Sequence, residues 1–149
     1  MTRIFIDADA CPVKEEVYRV AGRHRLLTYV VSNSWMRVPD SPLIEQIVVT
    51  DGFDAADDWI VENVGRRDVV ITSDIPLADR ALQKSALVLG PTGKAFTGQS
   101  IGMAVAMREL NTHLRQTGEI SGYNAAFSKK DRSRFLNILE NTLQKLRKE

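Results

Sequence analysis

The chain of 149 residues has the length of one domain, residues 1–149, and an ordinary globular composition, with 44% hydrophobic and 26% charged residues. Its one cysteine, Cys11, excludes an internal disulfide and a zinc site built from several thiolates. No apolar run approaches the ~20 residues that span a bilayer. The N-terminal residues reach Asp7 too early for a signal peptide. We therefore expect a cytoplasmic protein without a membrane segment.

The net charge of +1 is unevenly distributed. Residues 1–98 carry 11 Lys/Arg and 14 Asp/Glu, a net charge of −3, whereas residues 99–149 carry 9 and 5, a net charge of +4. An acidic body with a basic tail suits a metal site with a polyanion nearby. An ordinary solvated helix surface explains an imbalance of this size equally well.

The first fifty residues combine short apolar runs with one amphipathic pattern. Residues 4–6 predict a buried strand that ends at Asp7. Cys11 and Pro12 predict a helix start, because proline suits the first helical position. The apolar face of this helix is Val13, Val17, Val20, Ala21 and His24. The later elements are a strand over residues 26–31, a loop over 32–42 and a strand over 47–50.

The alternation continues after residue 50. Asp54 predicts the N-cap of a helix that runs to about Val64 and ends at Gly65. Residues 69–72 are the most β-prone run of the chain and show no polar alternation, which is typical of a central strand covered on both faces. The remaining elements are a helix opened by Pro76, a strand over 87–89 and two longer helices. The first of these starts near Ser100, with Met103, Met107, Leu110 and Leu114 on one stripe. The second starts at Ser128, is capped with Asp131, and carries Phe135, Leu139, Thr142, Leu143 and Leu146 on one stripe.

Strands that alternate with helices predict βαβ units and an α/β fold with a doubly wound, mostly parallel sheet. Ligands of such sheets bind beyond the carboxyl ends of the strands, at the point where the winding direction switches. That edge of the sheet is therefore where we expect functional side chains.

Three groups of acidic residues follow predicted strands and so belong to that edge: Asp7 and Asp9; Asp54, Asp57 and Asp58; and Asp74. Carboxylates held close together repel one another, and a bound cation removes the repulsion. Hard oxygen ligands select Mg²⁺ or Mn²⁺ rather than zinc.

Local structure explains some of these acids without a metal. Asp54 and Asp58 lie in a first helical turn, where acids complement the helix dipole. Asp74 suits the N-cap of the helix that Pro76 opens. Asp57 shares a face with Val61 and Val64, so it should point inward and need a partner. Asp7 ends a buried strand, where an unused carboxylate is costly.

Other reactive or polar residues have simpler explanations. Cys11 lacks a neighbouring base and is interpreted as a small buried residue, and His24 and His113 fit helix faces as packing residues. Ser32, Asn33 and Ser34 could hold a phosphate and Trp35 could stack on a base. An ordinary polar turn anchored by one aromatic residue is the slightly favoured interpretation. Thr72 and Lys14, beside the acids, complete the candidate substrate-binding set.

Several segments together carry a resemblance to a known family. They are residues 7–14 (DADACPVK), 32–34 (SNS), 52–57 (GFDAAD), 71–78 (ITSDIPLA), 96–98 (FTG) and 128–132 (SKKDR). In these segments the chain resembles the YaiI/YqxD-like family of bacterial proteins, and the match covers nearly its whole length. The family is grouped with PIN-like folds, some of which are metal-dependent ribonucleases.

The resemblance implies a single PIN-like domain built as a three-layer α/β/α sandwich. By the PIN pattern, Asp7, Asp57 and Asp74 match acidic ligand positions and Asp9 is an addition. The implied chemistry is phosphodiester hydrolysis, with RNA as the expected substrate and Mg²⁺ or Mn²⁺ as the cofactor. This implication passes through fold analogy alone.

Two rival functions stay open. In a haloacid-dehalogenase-type phosphatase, Asp7 would be the nucleophile and Asp9 the general acid, with Asp74 and Asp79 completing the site. In a non-catalytic nucleic-acid-binding module, the phosphate contacts would come from Lys129, Lys130, Arg132, Arg134, Lys145, Arg147 and Lys148. A homo-oligomer is a further possibility, with Met103 and Met107 on an exposed stripe.

Overall fold

The computed structural model describes residues 2–50, 52, 54–102 and 127–148. Six strands form one sheet: β1 (Ile4–Asp7), β2 (Thr28–Ser32), β3 (Ile44–Val48), β4 (Val69–Ile71), β5 (Leu87–Leu89) and β6 (Ala95–Phe96). Within the described residues, the longer helices that accompany it are α1 (Lys14–His24), α2 (Ala55–Asn63), α3 (Ile75–Gln83) and α4 (Lys129–Lys148). A 3-10 turn, Ala8–Ala10, follows β1, and residues 98–102 are helical.

The strand order is β3-β2-β1-β4-β5-β6. All neighbouring strands are parallel except β5 and β6, which form an antiparallel hairpin. From β1 the chain winds outward to β2 and β3, and it then returns to add β4 on the other side of β1. The winding direction therefore switches between β1 and β4, and a parallel sheet of this kind binds ligands beyond the carboxyl ends of those two strands.

Alternating side chains divide the core into two layers. Ile4, Ile6, Val69 and Ile71 pack against one face, where α1 and α4 supply the covering side chains. Phe5 and Val70 point to the opposite face and pack against α2 and α3. The protein is thus an α/β/α sandwich with a mostly parallel central sheet, as the sequence predicted.

The N-terminal cap and the buried face of the long C-terminal helix α4 agree with the prediction. Ser128 and Asp131 form the predicted capping pair, with each backbone N–H donating to the other side chain at 3.0 and 3.2 Å. The buried stripe of α4 is Phe135, Leu139, Leu143 and Leu146. The predicted stripe Met103, Met107, Leu110 and Leu114, together with His113, lies outside the described residues.

Several predicted boundaries were wrong. The third strand occupies Ile44–Val48 instead of residues 47–50, because pairing with β2 sets its position and Thr28 pairs with Ile44. The second strand occupies Thr28–Ser32 instead of residues 26–31, because pairing with β1 and β3 sets its position. Helix α1 begins at Lys14 instead of Pro12, because Pro12 and Val13 form a turn and Val13 is the non-helical N-cap residue. The short strand β6 was not predicted.

Candidate functional site: an aspartate cluster at the switch point

A chain of hydrogen bonds joins the carboxyl ends of β1 and β4. Ile6 pairs with Ile71, so Asp7 and the residue after Ile71, Thr72, lie side by side. The Thr72 Oγ1 hydroxyl donates to Asp7 Oδ2 at 2.7 Å and accepts from the Asp74 backbone N–H at 2.9 Å. Thr72 is 2% exposed. Because this buried hydroxyl both donates and accepts a hydrogen bond, it fixes the position of the Asp7 carboxylate relative to the Asp74 backbone.

Two further hydrogen bonds orient the acids on either side of this junction. Asp74 is the N-cap of α3, and its Oδ1 accepts from the Leu77 backbone N–H at 2.8 Å. Asp9 accepts from the Asn33 backbone N–H, with Oδ2 at 3.0 Å. The capping role predicted for Asp74 is therefore present, and it occupies one carboxylate oxygen. Asp54, by contrast, is at the N-cap position of α2 without a side-chain capping bond.

Asp57 completes the cluster from the first turn of α2. The pKa of Asp57 is raised to about 6, first by burial and then by the carboxylates of Asp7 and Asp74. Burial also raises the pKa of Asp7, and the charges of Asp74 and Asp9 add to that rise. The hydrogen bond from Thr72 acts in the opposite direction on Asp7. Asp74 thus acts electrostatically on both Asp7 and Asp57, and Asp9 acts on Asp7. Asp57 is partly buried, as its helix face predicted.

The neighbouring acids of α2 and α3 belong to other contacts. Asp58 is paired with Arg80 at 3.0 Å. The Asp79 carboxylate accepts a hydrogen bond from the Gln83 side chain at 3.4 Å along α3. Its charge is not among those that shift the pKa of Asp7 or Asp57. The phosphatase interpretation needs Asp79 near Asp7, so the structure gives that interpretation no support.

The donor set of the cluster suits a hard divalent cation, because every side chain offers carboxylate oxygen. Within the described part of the chain, however, no three His, Cys, Asp or Glu side chains have the spacing of a ready-made metal site. Hydrogen bonds to Thr72, Leu77 and Asn33 keep three of the acids in separate positions. The Asp57 side chain makes no hydrogen bond to another described residue. A cation would therefore be held by carboxylates that draw in around it.

The residues predicted to bind substrate differ in accessibility. Asn33 and Ser34 are exposed at the carboxyl end of β2. Ser32 is fully buried, and its Oγ donates to the Ser34 backbone oxygen at 2.7 Å. Lys14 is partly buried and donates to the Ala8 backbone oxygen at 3.2 Å. Ser32 and Thr72 thus support the site from beneath its surface, and a role for this set in substrate binding stays a prediction.

Trp35 is not the anchoring aromatic residue that the favoured interpretation of its turn required. It is 74% exposed, so it packs little of its surface against the protein. The sequence allowed two interpretations of Trp35, as an indole that stacks on a base or as an aromatic residue that anchors the turn. The anchoring interpretation was wrong. Its polar neighbours Asn33 and Ser34 were the one signal in the sequence that favoured exposure.

Cys11 and His24 have structural roles, as expected. Cys11 is buried, and burial raises the pKa of its thiol, which disfavours the nucleophilic thiolate. His24 Nε2 is hydrogen-bonded to Glu140, and its Nδ1 lies 3.3 Å from an Arg147 guanidinium nitrogen. His24 therefore connects the C-terminal end of α1 with α4.

The basic residues of α4 do not form one patch. Arg132 donates to the Pro12 backbone oxygen and to Glu16, near the start of α1. Arg147 contacts His24 near the end of α1. A helix of 20 residues is roughly 30 Å long, so the basic groups at its two ends lie near opposite ends of α1. Only the N-terminal group, Lys129, Lys130, Arg132 and Arg134, lies toward the aspartate edge.

The sequence matches one known protein family over most of its length. Residues 5–145 match the family described as "Uncharacterized BCR, YaiI/YqxD family". The chain belongs to the YaiI/YqxD family. That match includes all four acids of the cluster, so the site described above is part of the family's domain and lies within the matched range.

Relatives in this family are similar along their whole length. A "UPF0178 protein" of Parvibaculum lavamentivorans is 57% identical over 99% of this chain and 97% of its own. A protein of the same description from Agrobacterium fabrum is 53% identical over 98% and 95% of the two chains. One from Caulobacter sp. is 57% identical over 99% and 98%. No solved structure matches the chain significantly. In the described part of the YaiI/YqxD chain, no helix is both long and apolar enough to span a bilayer.

Proposed function

We propose that this protein is a divalent-metal-dependent nuclease that hydrolyses phosphodiester bonds in RNA, with Asp7, Asp9, Asp57 and Asp74 as the residues that hold Mg²⁺ or Mn²⁺. The observation that carries the proposal is the origin of the four acids. They come from three separate segments of the chain, one of which carries both Asp7 and Asp9, and all of them follow the switch point between β1 and β4 or act on it electrostatically, which is the usual ligand site of such a sheet.

The mutual repulsion of the acids supports a cation as their partner. Asp57 and Asp7 are each destabilised as anions, first by burial and then by neighbouring carboxylates. Arg80 counteracts this at Asp57, but its guanidinium is already 3.0 Å from Asp58. A folded protein that keeps such repulsion sacrifices stability, and functional sites are where that sacrifice is most often found.

The four acids have different tasks in this proposal. Thr72 fixes Asp7 and Asp74 through the hydrogen bonds described above, so these two would form the rigid side of the metal site. Asp57, without a hydrogen bond to a described residue, is the acid most able to move toward the ion. Asp9 is exposed and would contact the ion from the solvent side. A bound Mg²⁺ or Mn²⁺ supplies an activated water and stabilises the leaving oxygen.

A cleavage assay with matched variants tests the proposal. End-labelled single-stranded RNA is incubated with Mn²⁺ and the wild type, Asp57→Asn, Asp74→Asn or Asp40→Asn. Asp40 is an exposed acid in the loop between β2 and β3, so its variant carries the same charge change outside the cluster. We expect chelator-sensitive cleavage by the wild type and Asp40→Asn, and about 100-fold slower cleavage by the other two. Equal cleavage by all four proteins would point to a contaminant and contradict the proposal.

A further inference from the structure

Trp35 is the most exposed large apolar residue in the described part of the chain. Its exposed fraction of 74% compares with 41% for Val48 and 38% for Leu87. A single exposed apolar side chain is common on protein surfaces. Trp35 is unusual because hydrogen bonds hold the backbone on both sides of it and because it lies close to the aspartate cluster.

Hydrogen bonds fix the chain immediately before and after Trp35. The Ser34 backbone oxygen accepts from the buried Ser32 hydroxyl at 2.7 Å. The Met36 backbone N–H donates to Gln46 Oε1 on β3, also at 2.7 Å. The Met36 side chain packs against the core beneath α1. The indole is therefore presented to solvent by an anchored backbone, so little conformational entropy is lost when a ligand contacts it.

Trp35 is also close to the aspartate cluster. Asn33, two residues earlier, donates its backbone N–H to Asp9 Oδ2 at 3.0 Å. Two residues span at most roughly 7 Å of extended chain. A ligand whose phosphate lies at the cluster could therefore reach the indole with an adjoining group.

The surroundings of Trp35 favour a nucleobase over a protein surface. Asn33, Ser34 and Arg37 are exposed around it in the same loop, so the indole is an isolated aromatic in a polar setting. Protein-docking surfaces are usually contiguous apolar patches. An exposed aromatic ring beside polar and cationic groups is typical of single-stranded nucleic-acid binding, in which each base offers a flat face for stacking.

We infer that Trp35 stacks on an unpaired base of a single-stranded nucleic acid whose phosphodiester backbone lies at the aspartate cluster. This inference rests on the proposed function and gives it a substrate form, since a base in a duplex has no free face for stacking. Trp35 would act as a positioning residue that sets substrate affinity and would not take part in the chemical step.

Intrinsic fluorescence tests the inference directly, because Trp59 is the only other tryptophan. Trp59 is packed between Phe5 and Tyr29, so its emission serves as an internal reference. Wild type, Trp35→Ala, Trp35→Phe and Val48→Ala are titrated in EDTA, and again with Ca²⁺ to neutralise the carboxylates, with single-stranded RNA, with the same sequence as a duplex, and with an abasic strand. Val48→Ala is the control for loss of an exposed apolar side chain.

We expect single-stranded RNA to quench the Trp35 emission and Trp35→Ala to weaken binding by about 5- to 100-fold. Trp35→Phe should retain most of the affinity and Val48→Ala all of it. The duplex and the abasic strand should bind the wild type as weakly as single-stranded RNA binds Trp35→Ala. Equal affinities of wild type and Trp35→Ala, or an oligomeric mass that changes in Trp35→Ala alone, would overturn the inference.

Mn²⁺-dependent cleavage separates this inference from the proposed function. If wild type cleaves RNA and Trp35→Ala has the same KM, the nuclease stands and the stacking role falls. If the wild type does not cleave but base-dependent quenching is present, the stacking role stands and the nuclease falls. When both hold, Trp35→Ala should raise KM by the same factor as the loss of affinity and leave kcat unchanged.

Discussion

The Thr72 hydroxyl and the Asp7 carboxylate are joined by a 2.7 Å hydrogen bond across the two strands between which the sheet changes winding direction. The same hydroxyl accepts from the Asp74 backbone N–H. One buried side chain thus positions two acids that are 67 residues apart in sequence, Asp7 and Asp74. The organisation of the site depends on this residue, which itself has almost no exposed surface.

Replacing Thr72 with valine keeps the shape of the side chain and removes the hydroxyl. Asp7 loses a donor and the Asp74 N–H loses an acceptor, and unsatisfied buried groups cost about 1–3 kcal/mol. We expect the free energy of unfolding, measured in urea, to fall by that amount. Ser73→Ala, at the adjacent exposed position, is the control and should change it little. A Thr72→Val protein as stable as the wild type would show that the hydrogen bonds contribute nothing to the fold.

Asp57 should make stability depend on pH. Its folded-state pKa of about 6 lies above the ordinary value of 3.8, so the native state binds this proton more tightly than the unfolded state. Stability from this group is therefore greatest below about pH 4 and falls as the pH rises from about 4 to 6. Asp7 adds a change of the same sign, because its pKa is also raised.

Asp57→Asn removes the contribution of Asp57 to this pH dependence in the absence of metal. We expect the variant to be more stable than wild type at pH 7 by about 1 kcal/mol, a value reduced to allow for solvent screening of a half-exposed group. The difference should shrink toward pH 4. Urea unfolding at several pH values measures it, with Asp40→Asn as the matched control. A variant that is less stable than wild type at pH 7 would contradict the repulsion described for the cluster.

Gly93 tests how the β5–β6 hairpin packs against α4. Its φ is +86°, and an added Cβ would lie 2.7 Å from Arg134 Cβ and 2.9 Å from the Phe135 backbone nitrogen. We expect Gly93→Ala to destabilise the protein by at least about 1–3 kcal/mol, through both backbone strain and overlap. Gly98→Ala, where nothing lies within 4 Å, is the control. Equal melting temperatures for the two variants would mean that the hairpin moves away from α4 at little cost.

Much of the fold followed from the sequence because its strongest signals are local. The apolar run over 69–71 is the central strand β4, and the spacing of Phe135, Leu139 and Leu143 identified the buried face of α4. The edge strand β3 was predicted three residues too late because it contains the polar residues Glu45 and Gln46, so the neighbouring run 47–50 had the stronger apolar signal. Strand β6 has two residues, which is too short for any periodic pattern.

The site was predictable in position but not in its contacts. Parallel strands bring Asp7 and Asp74 to one edge, and the helix face of Asp57 indicated partial burial. The sequence could not give the hydrogen bonds of Thr72 or the exposure of Trp35, because both depend on residues that are distant in sequence. Gln46, for example, fixes the backbone beside Trp35 from another strand.

Calorimetric titration with Mn²⁺ at pH 7, on the wild type, Asp57→Asn and Asp40→Asn, shows whether the aspartate cluster binds a metal ion. We expect saturable binding by wild type and Asp40→Asn, binding about tenfold weaker or more in Asp57→Asn, and weaker wild-type binding below about pH 6, where protons compete for the same carboxylates. If millimolar Mn²⁺ gives no binding heat and leaves the melting temperature unchanged, the aspartate cluster is not a metal site.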